Sequence, residues 1–457
     1  MKTLAIIGGG AAGLAAAVAA GEAARDAAAP VRVVVYEADE RVGRSILATG
    51  NGRCNFSNTR ISPKLYRNAP FVEEALRHFE GAASMRVPSQ AREATASVHG
   101  VLAFFSDHGL AWREESEGRL YPLANKATSV LDCLRAAAAA AGVQVRGECE
   151  VVTVEPPRCP GAPFTMRLAD GRFERADAVI VAVGGSIARR LMPEGVPWVA
   201  PAPTLGPVAC DSPWPRRLDN IRVRGALELW RPGGAPADAR YRDMLDRLGH
   251  EPENHGHERL VSREVGEVMF RKYGVSGIAA FNLSRLMQPG DELALDFLPT
   301  VPAREAEAYL LRRRNLLRQA LGTPISADDL LRGMVLAPVA EVLLRAANLE
   351  GAEAASDEAV ARLAVPLKGL RLPVAGLGDA RQCQVHRGGV ACEAVSPRTG
   401  ELREVAGLYV VGEALDVDAP CGGYNLHWAW ASGLSAGWSA VSALAHGVAE
   451  EAEGAAR

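Results

Sequence analysis

Short apolar runs that stop at glycine recur three times along the chain. Leu4–Ile7 runs into Gly8, Val179–Val183 into Gly184 and Gly185, and Leu408–Val411 into Gly412. A continuous apolar, largely β-branched run closed by a glycine turn is the pattern of a buried parallel strand. After the first of these, Ala11 to Ala28 is alanine-rich and reads as a helix whose small side chains can approach a sheet closely. Val31 to Tyr36 is a second β-branched run, closed by Glu37. The first forty residues therefore read as strand, turn, helix, strand. If the three strand-then-glycine endings belong to one sheet, that domain is discontinuous and something is inserted within it.

The insert is visible in the pattern. Prolines crowd between Met192 and Pro215, which marks a non-helical crossing between domains. Strand-like pieces follow at Ala226 to Trp230 and Glu292 to Phe297. Helical stretches come next, at Pro302 to Leu321, at a run opened by Ser326 with Asp329 as a capping box, and at Ser356 to Leu363. The expected divisions are 1–192, a β-rich insert over 193–300, a helical insert over 301–365, a return to the first domain over 366–446, and a polar tail over 447–457 that frays. No repeat of fixed period is present.

Composition narrows the class. The chain has 457 residues, 48% hydrophobic and 23% charged, with a formal charge of −3. That is the balance of a soluble globular protein with material for a substantial core. It argues against a nucleic-acid binder, which carries a basic excess. The basic run Arg312-Arg313-Arg314 with Arg318 sits among Glu305 and Glu307 and reads as a solvated helix face. Eight cysteines without a Cys-x-x-Cys pair read as reduced thiols of a cytoplasmic protein. The apolar stretch from Lys2 to Ala20 imitates a secretory signal, but Gly8, Gly9, Gly10 and Gly13 interrupt it. No run reaches the ~20 apolar residues of a membrane span.

The chemistry starts at Gly8-Gly9-Gly10-Ala11-Ala12-Gly13, a G-x-G-x-x-G between strand and helix, with Glu37 following 24 residues beyond the last glycine. The first glycine permits the turn and the second admits a pyrophosphate to the backbone. The third allows close helix–strand packing, and the helix amino end stabilises phosphate charge. Glu37 is placed to accept hydrogen bonds from a ribose. Arg41-Val42-Gly43-Arg44 can reach a pyrophosphate with charge-assisted bonds. Several distant glycine turns closing on one extended ligand suit a tightly held FAD better than a nicotinamide that leaves at each turnover.

Val179–Gly185 and Gly407–Glu413 look like the second and third FAD motifs of flavoproteins of the two-dinucleotide-domain type. More narrowly, the chain resembles the BaiN/YhiN-like family of NAD(P)/FAD-dependent oxidoreductases. The stretches that carry this are Gly50-Asn51-Gly52-Arg53-Cys54-Asn55, Gly118-Arg119-Leu120-Tyr121-Pro122 with Lys126-Ala127, Tyr273–Gly277 and His386–Val390. The longest is Gly412–Asp418 running into Cys421-Gly422-Gly423-Tyr424-Asn425-Leu426. Together they extend from Leu4 to about Gly437.

The resemblance implies an α/β protein: a discontinuous Rossmann-like FAD-binding domain of the glutathione-reductase type, with an inserted β-rich domain and a small helical domain. It implies that Arg53, Cys54 and Asn55 lie near the reactive edge of the flavin. Glu413 stands where relatives carry an aspartate to the ribityl chain, and Gly422 to Leu426 present backbone N–H groups to the N1/C2 side. The cofactor contacts expected in all are Gly8, Gly10, Ala11, Ala12, Gly13, Glu37, Ala38, Arg44, Gly52, Arg53, Cys54, Asn55, Val151, Gly184, Gly185, Gly412, Glu413, Gly423, Tyr424, Asn425 and Leu426. The implied activity is NAD(P)H-driven reduction of a polarised C=C bond in a steroid- or bile-acid-like enone. The alternatives are oxygen-dependent oxidation of a small amine such as aminoacetone with production of hydrogen peroxide, and a non-catalytic flavin-binding or RNA-modifying flavoprotein. One stretch departs from the family pattern: Gly185 is followed by Ser186–Leu191 and the proline region instead of a long Ser/Thr/Gly-rich segment.

Other candidates read more plainly as structure. His250, His255 and His257 could bind zinc, but a polar loop accounts for them better. Cys54 and Cys421 read as small side chains at the flavin, not as a redox pair. Tyr273, Tyr424 and His427 could each supply a proton, and ordinary packing explains each equally well. No catalytic residue is assigned and no metal is expected; the expected partner is a small-molecule substrate.

Overall fold

The computed structural model describes residues 1–86, 100–159, 161–233 and 258–455. The chain divides into two compact units, Met1–Ala202 with Val385–Arg457, and Pro203–Gln384.

The first unit is built on a five-stranded sheet in the order Leu408–Val410, Ala178–Val181, Lys2–Ile7, Val31–Tyr36, Gln144–Arg146, parallel throughout. The three apolar runs that end in glycine are thus neighbours. Ile7 is level with both Val181 and Tyr36, and Val181 with Val410. The turns at Gly8, Glu37, Gly184 and Gly412 therefore leave the sheet at one carboxyl edge, the edge where ligands of parallel α/β sheets bind. An antiparallel sheet of Val151–Glu155, Phe164–Leu168 and Phe173–Ala176 accompanies it in this unit, with a second of Ser57–Asn58, Arg119–Pro122 and Trp112–Glu114.

Two helices cross tightly behind that edge. The helix Ala11–Asp26 is buried along most of its length, and the last helix is Tyr424–Ala455. A Cβ at Gly433 would stand 2.3 Å from the Ala12 carbonyl oxygen, and one at Gly437 2.4 Å from that of Ala16. Glycines four residues apart on one helix and alanines four apart on the other bring the backbones together. Aromatic packing fixes the last helix further along: Trp430 donates its indole N–H to the Phe56 carbonyl at 2.9 Å and meets Phe105 edge-on at 5.2 Å. Helical backbone continues to Ala455, through most of the segment that composition assigns to a polar tail.

The second unit is a closed antiparallel barrel in the order Val208–Cys210, Gly274–Ser276, Glu258–Arg271, Arg222–Pro232, Glu292–Asp296, Leu370–Leu377. The helices Ala306–Leu321, Ala327–Leu331, Ala337–Ala346 and Asp357–Lys368 lie in the chain between its last two strands and share its core. Ser326 and Asp329 make both halves of the capping box read from the sequence. The boundaries differ from those drawn on sequence. The division falls at 202/203 and 384/385, and β-rich and helical stretches form one unit instead of two. Leu370–Leu377, assigned on sequence to the returning domain, pairs with Glu292–Asp296 on one side and Val208–Cys210 on the other. Without that strand the barrel would have two open edges. Buried ion pairs serve this unit: Asp296 takes Lys368 at 2.7 Å and Arg263 at 3.3 Å, and Arg263 also reaches Glu228 at 3.1 Å.

Candidate cofactor site

The first glycine turn is shaped by close approaches. Gly8 has φ +100, and a Cβ there would stand 2.6 Å from the Ala182 carbonyl oxygen, at the end of the neighbouring strand. A Cβ at Gly13 would lie 1.9 Å from the Gly8 carbonyl oxygen. Gly10 is the N-cap of the first helix, and a Cβ there would meet only Ser45 Oγ, at 3.2 Å. The amides of Ala11, Ala12 and Gly13 occupy the first helical turn, which has no carbonyl acceptors of its own. That is an anion-accepting end.

Glu37 joins this turn from the next strand. Its Oε2 accepts from the Gly9 amide at 2.8 Å and its Oε1 from the Asp39 amide at 2.9 Å. The Gly43 amide in turn donates to the Gly9 carbonyl at 2.8 Å. Ala38 is exposed beside Glu37, and the exposed Arg44 guanidinium lies 3.3 Å from Asp39 Oδ1. Val151 opens its own antiparallel strand, buried and paired with Leu168.

Two distant turns converge on the same edge. A Cβ at Gly185 would be 2.9 Å from the Glu413 carbonyl oxygen, and one at Gly412 2.9 Å from Ala12 Cβ. The space beside Gly184, at φ +77, is open. Gly412 donates its amide to Ser432 Oγ at 3.0 Å and accepts from Trp428 Nε1 at 3.2 Å. The Glu413 carboxylate accepts the His386 amide at 2.9 Å, with His386 Nδ1 at 3.3 Å; that hydrogen bond lifts the imidazole above its usual pKa.

The Gly50–Asn55 turn runs largely through the left-handed region, which its glycines and asparagine admit readily. Gly50, Asn51, Gly52 and Cys54 all have φ between +56 and +80. Cys54 is fully buried, and burial pushes its thiol up to about 11, so it is no thiolate at neutral pH. Arg53 is held from three sides: its Nε donates to Asn125 Oδ1, its Nη2 to Glu115 Oε1, and its guanidinium lies 4.0 Å from the centroid of the Tyr121 ring. Asn55 meets the last helix. Its Oδ1 is buried without a hydrogen-bond partner, and a Cβ at Gly423 would stand 2.9 Å from it and 2.3 Å from the Ser57 carbonyl oxygen.

The helix start at Tyr424 is held by its neighbours. Tyr66 donates its hydroxyl to the Tyr424 carbonyl at 2.9 Å. Asn425 spends its amide on Ala419, accepting from its N–H and donating to its carbonyl, both at 2.8 Å. The Tyr424 carbonyl and the Asn425 side chain are thus both committed within the protein at this helix start. His427 is buried, with Nδ1 2.9 Å from Ser57 Oγ. Tyr273 belongs to the other unit, and His250, His255 and His257 lie outside the described residues.

Spacing alone missed a polar network beneath this site. Arg67 donates through Nε to Asp418 Oδ1 at 2.5 Å, and its amide donates to the Asp418 carbonyl at 2.8 Å. Asn68 donates to the Asp416 carbonyl at 2.7 Å, and the Gly388 amide to Asp416 Oδ1 at 2.8 Å. Asp416 and Asp418 thereby fasten the 412–418 segment to residues some 350 positions away. The Gly412–Asp418 stretch contains both acids, but their spacing shows only a pair of acids between apolar neighbours and not what they hold.

These residues fit a dinucleotide. Glycines line three turns on one sheet edge, two helix amino ends open there, an acid closes the second strand, and a buried amide oxygen lacks a partner. No helix among the described residues is long and apolar enough to cross a membrane, and all eight cysteines are unbridged.

The comparisons extend over nearly the whole chain. The family model described as HI0933-like protein Rossmann domain matches residues 2–439. A 3-dehydro-bile acid delta(4,6)-reductase of Clostridium scindens is 30% identical over 96% of this chain and 99% of its own. A ribosomal RNA dihydrouridine synthase of Escherichia coli is 27% identical over 96% and 98%. Among solved structures, a 3-ketosteroid-delta4-(5alpha)-dehydrogenase of Rhodococcus jostii is similar with a TM-score of 0.41 and 14% identity, covering 96% of this chain and 97% of its own.

Proposed function

The chain belongs to the HI0933-like Rossmann-domain family, and on that premise we propose that it is an FAD-dependent oxidoreductase that reduces a C=C bond conjugated to a carbonyl. The observation that carries the cofactor is the convergence of Gly8, Gly184–Gly185 and Gly412 on one carboxyl edge, with the Tyr424 helix end beside Asn55. When bound, FAD supplies hydride chemistry, accepting a hydride from NAD(P)H and passing it on. The Gly8–Gly13 turn and its helix end would hold the pyrophosphate, and Glu37 the ribose through lone pairs left on its two oxygens. The amides of Tyr424, Asn425 and Leu426 would stabilise negative charge at the N1/C2 side. Gly52, Arg53, Cys54 and Asn55 would border the reacting edge.

The likeness to a bile-acid delta(4,6)-reductase supports an enone as substrate. A dihydrouridine synthase acts on the same chemistry in another molecule, since the uracil C5=C6 bond is conjugated to a carbonyl. The formal charge of −3 favours a small molecule over RNA. Anaerobic titration tests the reading: NADH, NADPH and aminoacetone are added separately while flavin absorbance at about 450 nm is followed. Bleaching by a nicotinamide and recovery with a 3-oxo-Δ4 steroid is the expected result. Bleaching by aminoacetone alone, with peroxide on admitting air, would establish the amine oxidase instead. Recovery with uridine-containing RNA but not with steroid would move the substrate to RNA.

A further inference from the structure

We propose that Arg53 is the group that takes the carbonyl oxygen of the substrate, and that Glu115 is the positioning residue that aims it. The inference rests on the reductase reading above and deepens it.

The geometry is that of an arginine fixed in advance. Its Nε and Nη2 are committed to Asn125 and Glu115, and its guanidinium carbon lies over the Tyr121 ring. No described residue takes a hydrogen bond from Nη1, and the side chain keeps 33% of its surface exposed. An arginine tethered on one side and stacked on a ring loses little further freedom when it binds an oxygen.

The charge count around it is also one-sided. Glu115 Oε1 accepts from Arg53 and from Arg113, the latter at 2.9 Å, so two guanidinium groups share one carboxylate. Although partial desolvation of Glu115 acts against this, hydrogen bonds from Arg113 and Arg53 hold its carboxyl below the ordinary range. The cluster thus keeps one net positive charge. Two residues along the same turn, Asn55 reaches the amino end of the last helix at Gly423, so the cluster belongs to the candidate site.

A conjugated ketone needs that charge at one moment. When its β-carbon takes a hydride, the C=C pair shifts to the α-carbon–carbonyl-carbon bond, and the carbonyl pair moves onto oxygen as an enolate. Arg53 Nη1 donates to that oxygen. A proton then adds at the α-carbon and the C=O bond returns. A flavin reduced by NAD(P)H would supply the hydride and solvent the proton, so the product would gain two electrons and two protons overall. An interaction that strengthens as charge develops accelerates the step, where one equally strong at the start does not.

The test compares two oxidants on the pre-reduced holoenzyme. Androst-4-ene-3,17-dione needs carbonyl activation, whereas ferricyanide takes electrons singly and does not. The ratio of the two reoxidation rates should fall about 100-fold in Arg53→Gln and much less in Arg53→Lys. In Glu115→Gln it should fall roughly tenfold, through the limiting rate more than through half-saturation. A readout without turnover is 4-nitrophenol, an enolate mimic: the wild type should bind it as the phenolate and lower its apparent pKa, and Arg53→Gln should not. Wild-type reoxidation by the steroid with an unchanged ratio and unchanged phenolate signal in Arg53→Gln overturns this proposal alone. A flavin-loaded wild type that no conjugated ketone reoxidises overturns the reductase reading and this proposal with it.

Discussion

The amide of Gly9 donates a 2.8 Å hydrogen bond to Glu37 Oε2. This contact ties the turn after the first strand to the acid that closes the second, so the two parts of the nucleotide motif form one rigid unit. The second oxygen is committed to the Asp39 amide in the same way. Glu37 therefore shapes the loop before any ligand arrives, which goes beyond the ribose contact that its spacing suggests.

Replacing Glu37 by Ala is expected to remove both acceptors and weaken FAD retention by at least about tenfold, since hydrogen bonds to a charged acceptor are worth about 1.5–3 kcal/mol. Glu37→Gln should lie between, keeping one acceptor. Quenching of FAD fluorescence on titration into stripped protein measures both. Equal affinity in all three proteins would show that Glu37 shapes neither loop nor ribose.

The glycines separate folding from binding. Gly13→Ala would place its Cβ 1.9 Å from the Gly8 carbonyl oxygen, a backbone clash that should destabilise the first unit by about 3 kcal/mol or more. At Gly10 the nearest atom is a serine hydroxyl at 3.2 Å, so Gly10→Val should fold and yet be colourless. Thermal melts with flavin absorbance distinguish the two. A yellow Gly10→Val protein would contradict the placement of the pyrophosphate.

What the sequence makes legible is local or directional. Runs such as Leu4–Ile7 and Val179–Val183 announce parallel strands because both faces of such a strand are covered, and a glycine marks where each leaves the sheet. The barrel is harder to see. Val208–Cys210 and Gly274–Ser276 have three residues each, and Glu258–Arg271 interleaves apolar with charged positions. Its closing strand, Leu370–Leu377, comes only after four helices. Pairings at that separation leave no trace in spacing. Gly433 and Gly437 did carry a signal, small residues four apart on an apolar helix, whereas the clamp on Arg53 joins residues 62 and 72 positions away and carried none.

Alkaline pH should loosen the fold through buried thiols. In the unfolded chain Cys54 ionises near its ordinary 9.0, whereas in the folded protein it keeps its proton to about 11. Its contribution to stability is complete below pH 9 and is lost as pH rises through 11, at about 1.4 kcal/mol per unit of offset. Cys392, pushed up to about 12, extends the window. Melting temperatures at pH 8 and pH 10.5 should fall more steeply in the wild type than in Cys54→Ala. Parallel profiles would mean that the thiol is not desolvated as the structure shows.

The bond between Arg67 and Asp418 offers the sharpest test of how the last glycine block is held. The Asp418 side chain is fully buried, and Arg67 supplies its guanidinium at 2.5 Å. Removing the cation while keeping the buried carboxylate should destabilise the protein by about 3 kcal/mol, because the charge then remains in a poorly solvating place. Arg67→Ala is expected to show this in urea unfolding at pH 7. Adding Asp418→Asn should restore part of the loss, so that the double variant is more stable than Arg67→Ala alone. The same order should hold for flavin retention, since Asp416 and Asp418 lead directly into the 421–426 turn. Strictly additive losses would place the two residues in separate interactions, and an Arg67→Ala protein as stable as the wild type would show that the pair does not anchor the segment.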